Sequence, residues 1–441
     1  MKNTFNRRDF IKTSLASAAT YASFTTEIDA AEKTPNKTEK KNLIGSAPML
    51  QNGAADSISI VFEVTADAIG YVDISTSPDM KNAVRHFSGS RGLVELNDKI
   101  ARVLVSNLKP ATRYWYKIGA DRIAYDNGYS MKNLGSETDG KIRSFTTLGE
   151  DAKGAFCVIN DTHENKTTLN LLFNKIAEIK PAAVIWNGDA TNVTETKEHA
   201  AEIFLHPHPD HPEYAAQTPY LFVNGNHDLR GRFARTMEEI LMLRNPSERS
   251  QEFSDLGRNF VQRLGSLALI GLDTGEDKLD TNPIFAGLFQ MEKYREQQAR
   301  FLAEAIETPA VKTAKFKVVF CHIPLFDPNK AANPGDLKPR DTAPGYNTDY
   351  AMWQRTCANL WGDLFVRAGV QLVIAAHQHQ FRYDAPTAER PWAQIIGGGH
   401  KLDRGEKRFP TVIEGNVEND RLVVKVHDVR SGGTAGEFIF T

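Results

Sequence analysis

Five short polar blocks in this sequence each follow an apolar run. They are Asn160-Asp161-Thr162-His163, Asn187-Gly188-Asp189, Asn224-Gly225-Asn226-His227-Asp228, Cys321-His322 and His377-Gln378-His379. Imidazole, carboxylate and amide oxygen are donors for divalent transition ions. Seven residues qualify as metal ligands: Asp161, His163, Asp189, Asn226, His322, His377 and His379. A single ion takes about four to six donors, so the set suits two ions that share a bridging carboxylate. Asp161 and His163 stand two apart, as do His377 and His379, so in extended backbone each pair points to one side. Any one of these histidines alone would more often be a hydrogen-bonded core or loop residue; the set of seven argues for a site.

The elements that position these blocks are apolar runs. Ala155–Ile159 reads as a buried strand, Leu169, Leu172, Phe173 and Ile176 fall at helical spacing, and Ala183–Trp186 is the next strand, which together make a β-α-β unit. Further strands are expected at 220–223, 267–270, 316–320, 372–375 and 395–396, with helices near 290–307 and 353–368. A hairpin near 411–428 and a strand at 438–440 complete the expected set. Open α/β sheets bind their ligands at the carboxyl ends of strands, which is where the five blocks lie. Residues 43–148 differ: short alternating runs such as Ile58–Val64, Ala101–Val105 and Tyr114–Ile118, divided by turn-formers, predict an all-β sandwich.

The chain has 441 residues, 41% of them hydrophobic and 24% charged. Acidic residues number 55 against 53 basic, a net charge of −2, which supplies no field for coating a nucleic acid. No apolar run reaches the roughly 18 residues of a membrane span. Three scattered cysteines, Cys157, Cys321 and Cys357, do not make a disulfide framework; the first two sit in apolar runs and read as buried thiols. The start resembles a bacterial twin-arginine export signal: Arg7-Arg8 precede Phe10-Ile11, and an Ala/Ser-rich stretch follows to about residue 30. It implies passage through the twin-arginine machinery to the periplasm or outside the cell. Residues 31–42 read as a linker, 43–148 as the small β domain and 149–441 as the α/β domain.

The order Asp-x-His, Gly-Asp, Gly-Asn-His-Asp, lone His and His-x-His over 155–380 resembles the calcineurin-like metallophosphoesterase family. The resemblance implies an α/β fold, a β-sandwich flanked by helices, and two divalent ions, Mn, Fe or Zn. It places Asp161, His163 and His379 on the first ion, Asn226, His322 and His377 on the second, and Asp189 between them. His227 would face the substrate, with Asp228 fixing its ring from behind. His400, after Gly397-Gly398-Gly399, and Arg230 are weaker candidates for substrate contact. Ala376 stands where the family usually has glycine. The implied activity is hydrolysis of a small-molecule phosphate ester, foremost a monoester, by metal-activated hydroxide without a covalent enzyme intermediate. The rivals are a phosphodiesterase acting on nucleotides or lipid headgroups, a nuclease of the same superfamily, and a non-catalytic exported adhesion protein. The nuclease would want a basic groove, and a decayed enzyme would have lost a ligand; the sequence shows neither.

Leu108-Lys109-Pro110-Ala111-Thr112-Arg113-Tyr114 resembles the signature of fibronectin type III domains, in which a tyrosine hydroxyl ties the corner to the backbone. A fibronectin-like domain ahead of such a catalytic domain looks like the layout of purple acid phosphatases. Those enzymes have glycine at the position of His163 and a metal-bound tyrosine at that of Asn192. The expected enzyme is therefore not purple. His206-Pro207-His208-Pro209-Asp210-His211 reads as a Pro-rich surface loop rather than a lining of the cleft.

Overall fold

The computed structural model describes residues 42–241, 253, 255–327, 346–403, 405 and 407–441. The twin-arginine stretch and nearly all of the linker lie outside them. Residues 42–441 cluster as one compact unit.

Alternation along the buried strands decides the layers. In Phe156–Ile159, Phe156 and Val158 face one way while Cys157 and Ile159 face the other, and all four are buried. Phe156 and Val158 join Ile185, Leu221, Leu269, Val318, Phe320 and Ile374 in a core between two sheets. Cys157, Ile159, Val184 and Trp186 pack outward against Leu169, Leu172, Phe173 and Phe204 of the helices Lys166–Ile179 and Lys197–Leu205. On the far side, Ile270, Val319 and Val373 pack against Leu302, Trp353, Trp361 and Phe365 of Met291–Ala305 and Tyr346–Ala368. The result is helix, sheet, sheet, helix. Each fully buried aliphatic or aromatic side chain in such a core contributes about 1.5–3 kcal/mol.

The first sheet has nine strands, in the order Gly433–Phe440, Arg421–Asp428, Thr411–Glu418, Phe156–Ile159, Ala183–Asn187, Tyr220–Val223, Met49–Gln51, Ile58–Glu63 and Ile100–Val105. Its three central strands are parallel. The second runs Phe260–Leu264, Leu267–Leu272, Phe316–Cys321, Leu372–Ala375, Ala393–Ile396 and Arg382–Asp384. Among the described residues no helix is long and apolar enough to cross a membrane.

The N-terminal all-β region contributes to three sheets, the smallest being the pair Gly89–Ser90 and Leu93–Val94. Met49–Gln51 pairs in parallel with Tyr220–Val223, so the first sheet runs on from the α/β part into this region. A separate five-stranded sheet, Arg143–Thr146, Arg113–Asn127, Ala68–Ser75 and Val84–Phe87 in order with Ser130–Thr138 also paired to Arg113–Asn127, packs on it through Ile60, Phe62, Val72, Val103, Tyr116 and Ile118. Tyr114 Oη accepts from Lys109 N at 2.9 Å, tying the corner as the sequence suggests. The His206–His211 segment lies against this region and the first helix: His206 Nε2 is 2.7 Å from Glu63 Oε2, and His211 Nε2 is 2.6 Å from Asn170 Oδ1.

Candidate active site

The five blocks meet where the parallel strands of both sheets end. Backbone pairing links the first two: Asp161 N donates to Gly188 O, His163 N to Asp189 O and Glu164 N to Ala190 O, at 2.9–3.0 Å. Ala376 N donates to His322 O at 2.8 Å, and His377 N to Asp161 Oδ2 at 3.0 Å, which ties in the fourth and fifth. Five candidate ligands, Asp161, His163, Asp189, His377 and His379, have φ between 45° and 68°. Side-chain-bearing residues reach that region at a cost, and these hydrogen bonds hold Asp161, His163, Asp189 and His377 there. The two-apart pairs therefore converge by left-handed turns, not by the extended backbone expected from their spacing. Close approach also demands glycine: a Cβ on Gly188 would stand 2.3 Å from His322 Nδ1, and one on Gly225 2.1 Å from Asp189 Oδ1.

Two groups of donors form, one of Asp161, His163, Asp189 and His379, the other of Asp189, His322 and His377. Donors around one divalent ion at about 2.1 Å stand about 3.0–3.4 Å apart. Here His163 Nε2 to His379 Nε2 is 3.1 Å, His379 Nε2 to Asp161 Oδ1 3.2 Å, and His322 Nε2 to Asp189 Oδ2 3.2 Å. Asn226 Oδ1 lies 3.0 Å from His377 Nδ1. Asp161 Oδ1 and His322 Nε2, both buried, make no aligned hydrogen bond despite these approaches, as atoms do that converge on a common point. The residues fit a pair of divalent ions.

Asp161 and Asp189 are buried carboxylates that call for positive charge. Burial pulls the His322 ring down, but Asp189 and then Asp161 outweigh it and push it up to about 10. Burial also works against ionised Asp189, yet His322, His227 and His163 hold it below the usual carboxylate range. His400 joins a third group with His163 and His379, its ring 4.6 Å from that of His163, and burial followed by those two rings lowers it to about 4.

Asp228 does not sit behind His227. Its Oδ1 accepts from Thr191 N and Oγ1 at 2.9 and 3.0 Å, and its Oδ2 from Gly225 N at 2.9 Å, so it braces the loops that carry Asp189 and Asn226. Neighbours in sequence point apart in this tight turn. Burial, then Asp189, raises Asp228 to about 6. The His227 ring is held instead by the carbonyl of Asn192, 2.9 Å from Nδ1, and Arg230 Nη1 approaches its Nε2 at 3.3 Å. Arg230 is anchored by Nε on Glu276 at 3.0 Å.

Several residues that matter carry no ligand spacing. Asn187 is the last residue of its strand, one beyond the expected 186, and its Nδ2 donates to Cys321 O and Ile374 O, stitching the two sheets beneath the site. Asn160 Nδ2 donates to Asp161 Oδ2 at 2.7 Å and Gly398 O at 2.6 Å. Asn192 Oδ1 faces His163 Nδ1 at 3.1 Å. The signal available was position: Asn160 and Asn187 open their blocks, and Asn192 stands three residues past one.

No curated protein matches the chain. Among solved structures, purple acid phosphatase PPD1 from yellow lupin seeds is similar at 12% identity, covering 89% of this chain and 73% of its own, with a TM-score of 0.58. GAP50 of Plasmodium, an anchor in the inner membrane complex, shares 13% over 66% of this chain and 89% of its own, with a TM-score of 0.44. At such identity the lupin enzyme speaks to the fold alone, and that fold is the one described above. The calcineurin-like phosphoesterase profile matches residues 155–381, a stretch that holds all five blocks and just over half of the sequence, and the chain belongs to that family.

Proposed function

We propose that the chain is an exported two-metal phosphoester hydrolase acting foremost on phosphomonoesters. One observation carries this reading: Asp189 Oδ2 lies 3.5 Å from His163 Nε2 and 3.2 Å from His322 Nε2, so one carboxylate oxygen serves both donor groups. Asp161, His163 and His379 would hold one ion, Asn226, His322 and His377 the other, with Asp189 between. Bound there, two divalent cations, Mn, Fe or Zn, supply Lewis acidity toward phosphoryl oxygens and hydroxide near neutral pH. The protein's own groups supply orientation and protons. The Asn192 carbonyl fixes the proton on His227 Nδ1; Nε2, which Arg230 Nη1 approaches at 3.3 Å, would be released as that guanidinium turns to phosphoryl oxygens, and in the imidazolium would donate to the leaving alkoxide. Arg230, anchored on Glu276, presents its guanidinium to phosphoryl oxygens beside it.

The corner hydrogen bond of Tyr114 supports reading the N-terminal region as a fibronectin type III-like domain. Export rests on Arg7-Arg8 in the sequence. Replacing both arginines with lysine should retain the protein inside the cell on fractionation, and unchanged export would remove that part of the proposal. Metal-reconstituted protein should hydrolyse 4-nitrophenyl phosphate faster than bis(4-nitrophenyl) phosphate and lose both activities to a chelator. The reverse preference would make it a diesterase, and full activity without metal would defeat the two-metal reading. With Asn192 and His163 where the purple enzymes have tyrosine and glycine, the isolated protein should lack an intense visible band. A purple colour with iron found by metal analysis would place it in that branch instead.

A further inference from the structure

We propose that Asp277 is a positioning residue for His377: it fixes the proton on Nε2 and so offers Nδ1 to the second ion, an inference that rests on the two-metal reading. Asp277 is fully buried in the segment that follows the strand Leu267–Leu272. Its Oδ2 approaches His377 Nε2 at 3.3 Å, a contact not aligned as a hydrogen bond, and its Oδ1 accepts from Lys278 Nζ at 2.8 Å. Across the same ring, His377 Nδ1 faces Asn226 Oδ1 at 3.0 Å.

The other rings are turned the opposite way. His322 Nδ1 faces Asn187 O at 2.9 Å and His163 Nδ1 faces Asn192 Oδ1 at 3.1 Å, which leaves Nε2 of each toward Asp189. His379 presents Nε2 to Asp161. Three of the four candidate histidine ligands thus offer Nε2, two of them, His322 and His163, with a neutral oxygen behind the ring, whereas His377 offers Nδ1 with a carboxylate behind it. A neutral imidazole has one proton, and its outer partner decides which nitrogen keeps the lone pair. An anionic partner also makes that lone pair more basic, strengthening the bond to a cation.

Zinc affinities of the full chain, measured by competition with a chelator, test this. Asp277→Asn should hold one of two zinc equivalents about 10–100-fold more weakly and the other unchanged, because removing such an outer partner costs about that much. Asp277→Glu should recover part of the loss. Lys278→Gln, which removes the other partner of Asp277, should leave both affinities near wild type. Unchanged affinities in Asp277→Asn would overturn the proposal, as would equal weakening in Lys278→Gln, which would reduce Asp277 to a partner for that lysine. Wild-type protein binding fewer than two zinc ions would instead defeat the two-metal reading beneath it. Should Asp277→Asn fail to fold, zinc-loaded wild type labelled with ¹⁵N-histidine carries the test. One ring, absent in His377→Gln, should be bound through Nδ1 with a strongly deshielded proton on Nε2; all metal-bound rings ligating through Nε2 would overturn the proposal.

Discussion

Side-chain-bearing residues with positive φ occur in both the N-terminal β region and the loops of the candidate site, for different reasons. In the first they are Asn52, Met80, Asn82, Arg91, Asn107 and Ala111, and half are asparagine, the residue that enters left-handed turns most readily. At those three asparagines the residue type suits the turn. In the second they are Asp161, His163, Glu164, Asp189, His377 and His379, residue types suited to chemistry; backbone bonds between neighbouring loops hold the first four and the Asp161 carboxylate holds His377 N. Buried polar atoms without hydrogen bonds occur in both regions and also in the packed core outside them, at Tyr220, Trp361 and Trp392 among others. Among the described residues the β region has Arg143 Nη1, whereas the site has Asp161 Oδ1, His322 Nε2, His400 Nδ1 and others. One region is satisfied by its own chain; the other is built to be completed by something bound.

The sharpest break in that contrast is at the shared carboxylate. Asp189→Ala should abolish binding of both ions and lower turnover by more than about 100-fold, beyond what loss of an outer partner costs. Metal analysis and the phosphatase assay check it, and retention of one tight ion would show that Asp189 does not bridge. His227→Ala should keep both ions yet lose about 10²–10⁴-fold in turnover, most with poor leaving groups. Equal losses across leaving groups would limit His227 to charge stabilisation.

A smaller effect concerns stability against pH. His322 has its folded pKa raised from 6.5 to about 10, so the fold keeps a proton that the unfolded chain releases. This contribution is fully present below pH 6.5 and disappears as pH rises to about 10. Chelated protein should therefore melt progressively lower across that window, while zinc-loaded protein, whose ion takes over the compensation, should not. Parallel slopes with and without zinc would count against a cation at His322. Smallest is Tyr114→Phe in the β region, expected to cost about 1 kcal/mol by denaturant titration with hydrolysis unchanged. A loss of activity there would mean that the two regions are coupled.

The five blocks were legible because each pairs a hydrophobic run with a cluster of donor residues, and both features survive in one dimension. The β-α-β unit and the inter-sheet strands were legible for the same reason. Asp277 was not, because Asp273-Thr274-Gly275-Glu276-Asp277-Lys278 reads as an ordinary polar loop until the fold sets it against His377. The role given to Asp228 failed since adjacency says nothing of direction at a tight turn. The strand Ser130–Thr138 escaped notice because its side chains are almost all exposed and carry no alternation, and its partner Arg113–Asn127 outlasts the apolar run at 114–118. In the helix Lys197–Leu205, Ala200, Ala201, Ile203, Phe204 and Leu205 are too crowded to show a period.

The parallel pairing of Met49–Gln51 with Tyr220–Val223 also bears on solubility. A strand with one unpaired side is a template for other chains. Met49–Gln51 covers one flank of the central three strands, and Thr411–Glu418, antiparallel to Phe156–Ile159, covers the other. Both guards lie outside the stretch 155–381 that matches the family. Cut to that stretch, the protein would keep every ligand and gain two sticky margins, so the flanking segments work as bumpers for a sheet that cannot close on itself.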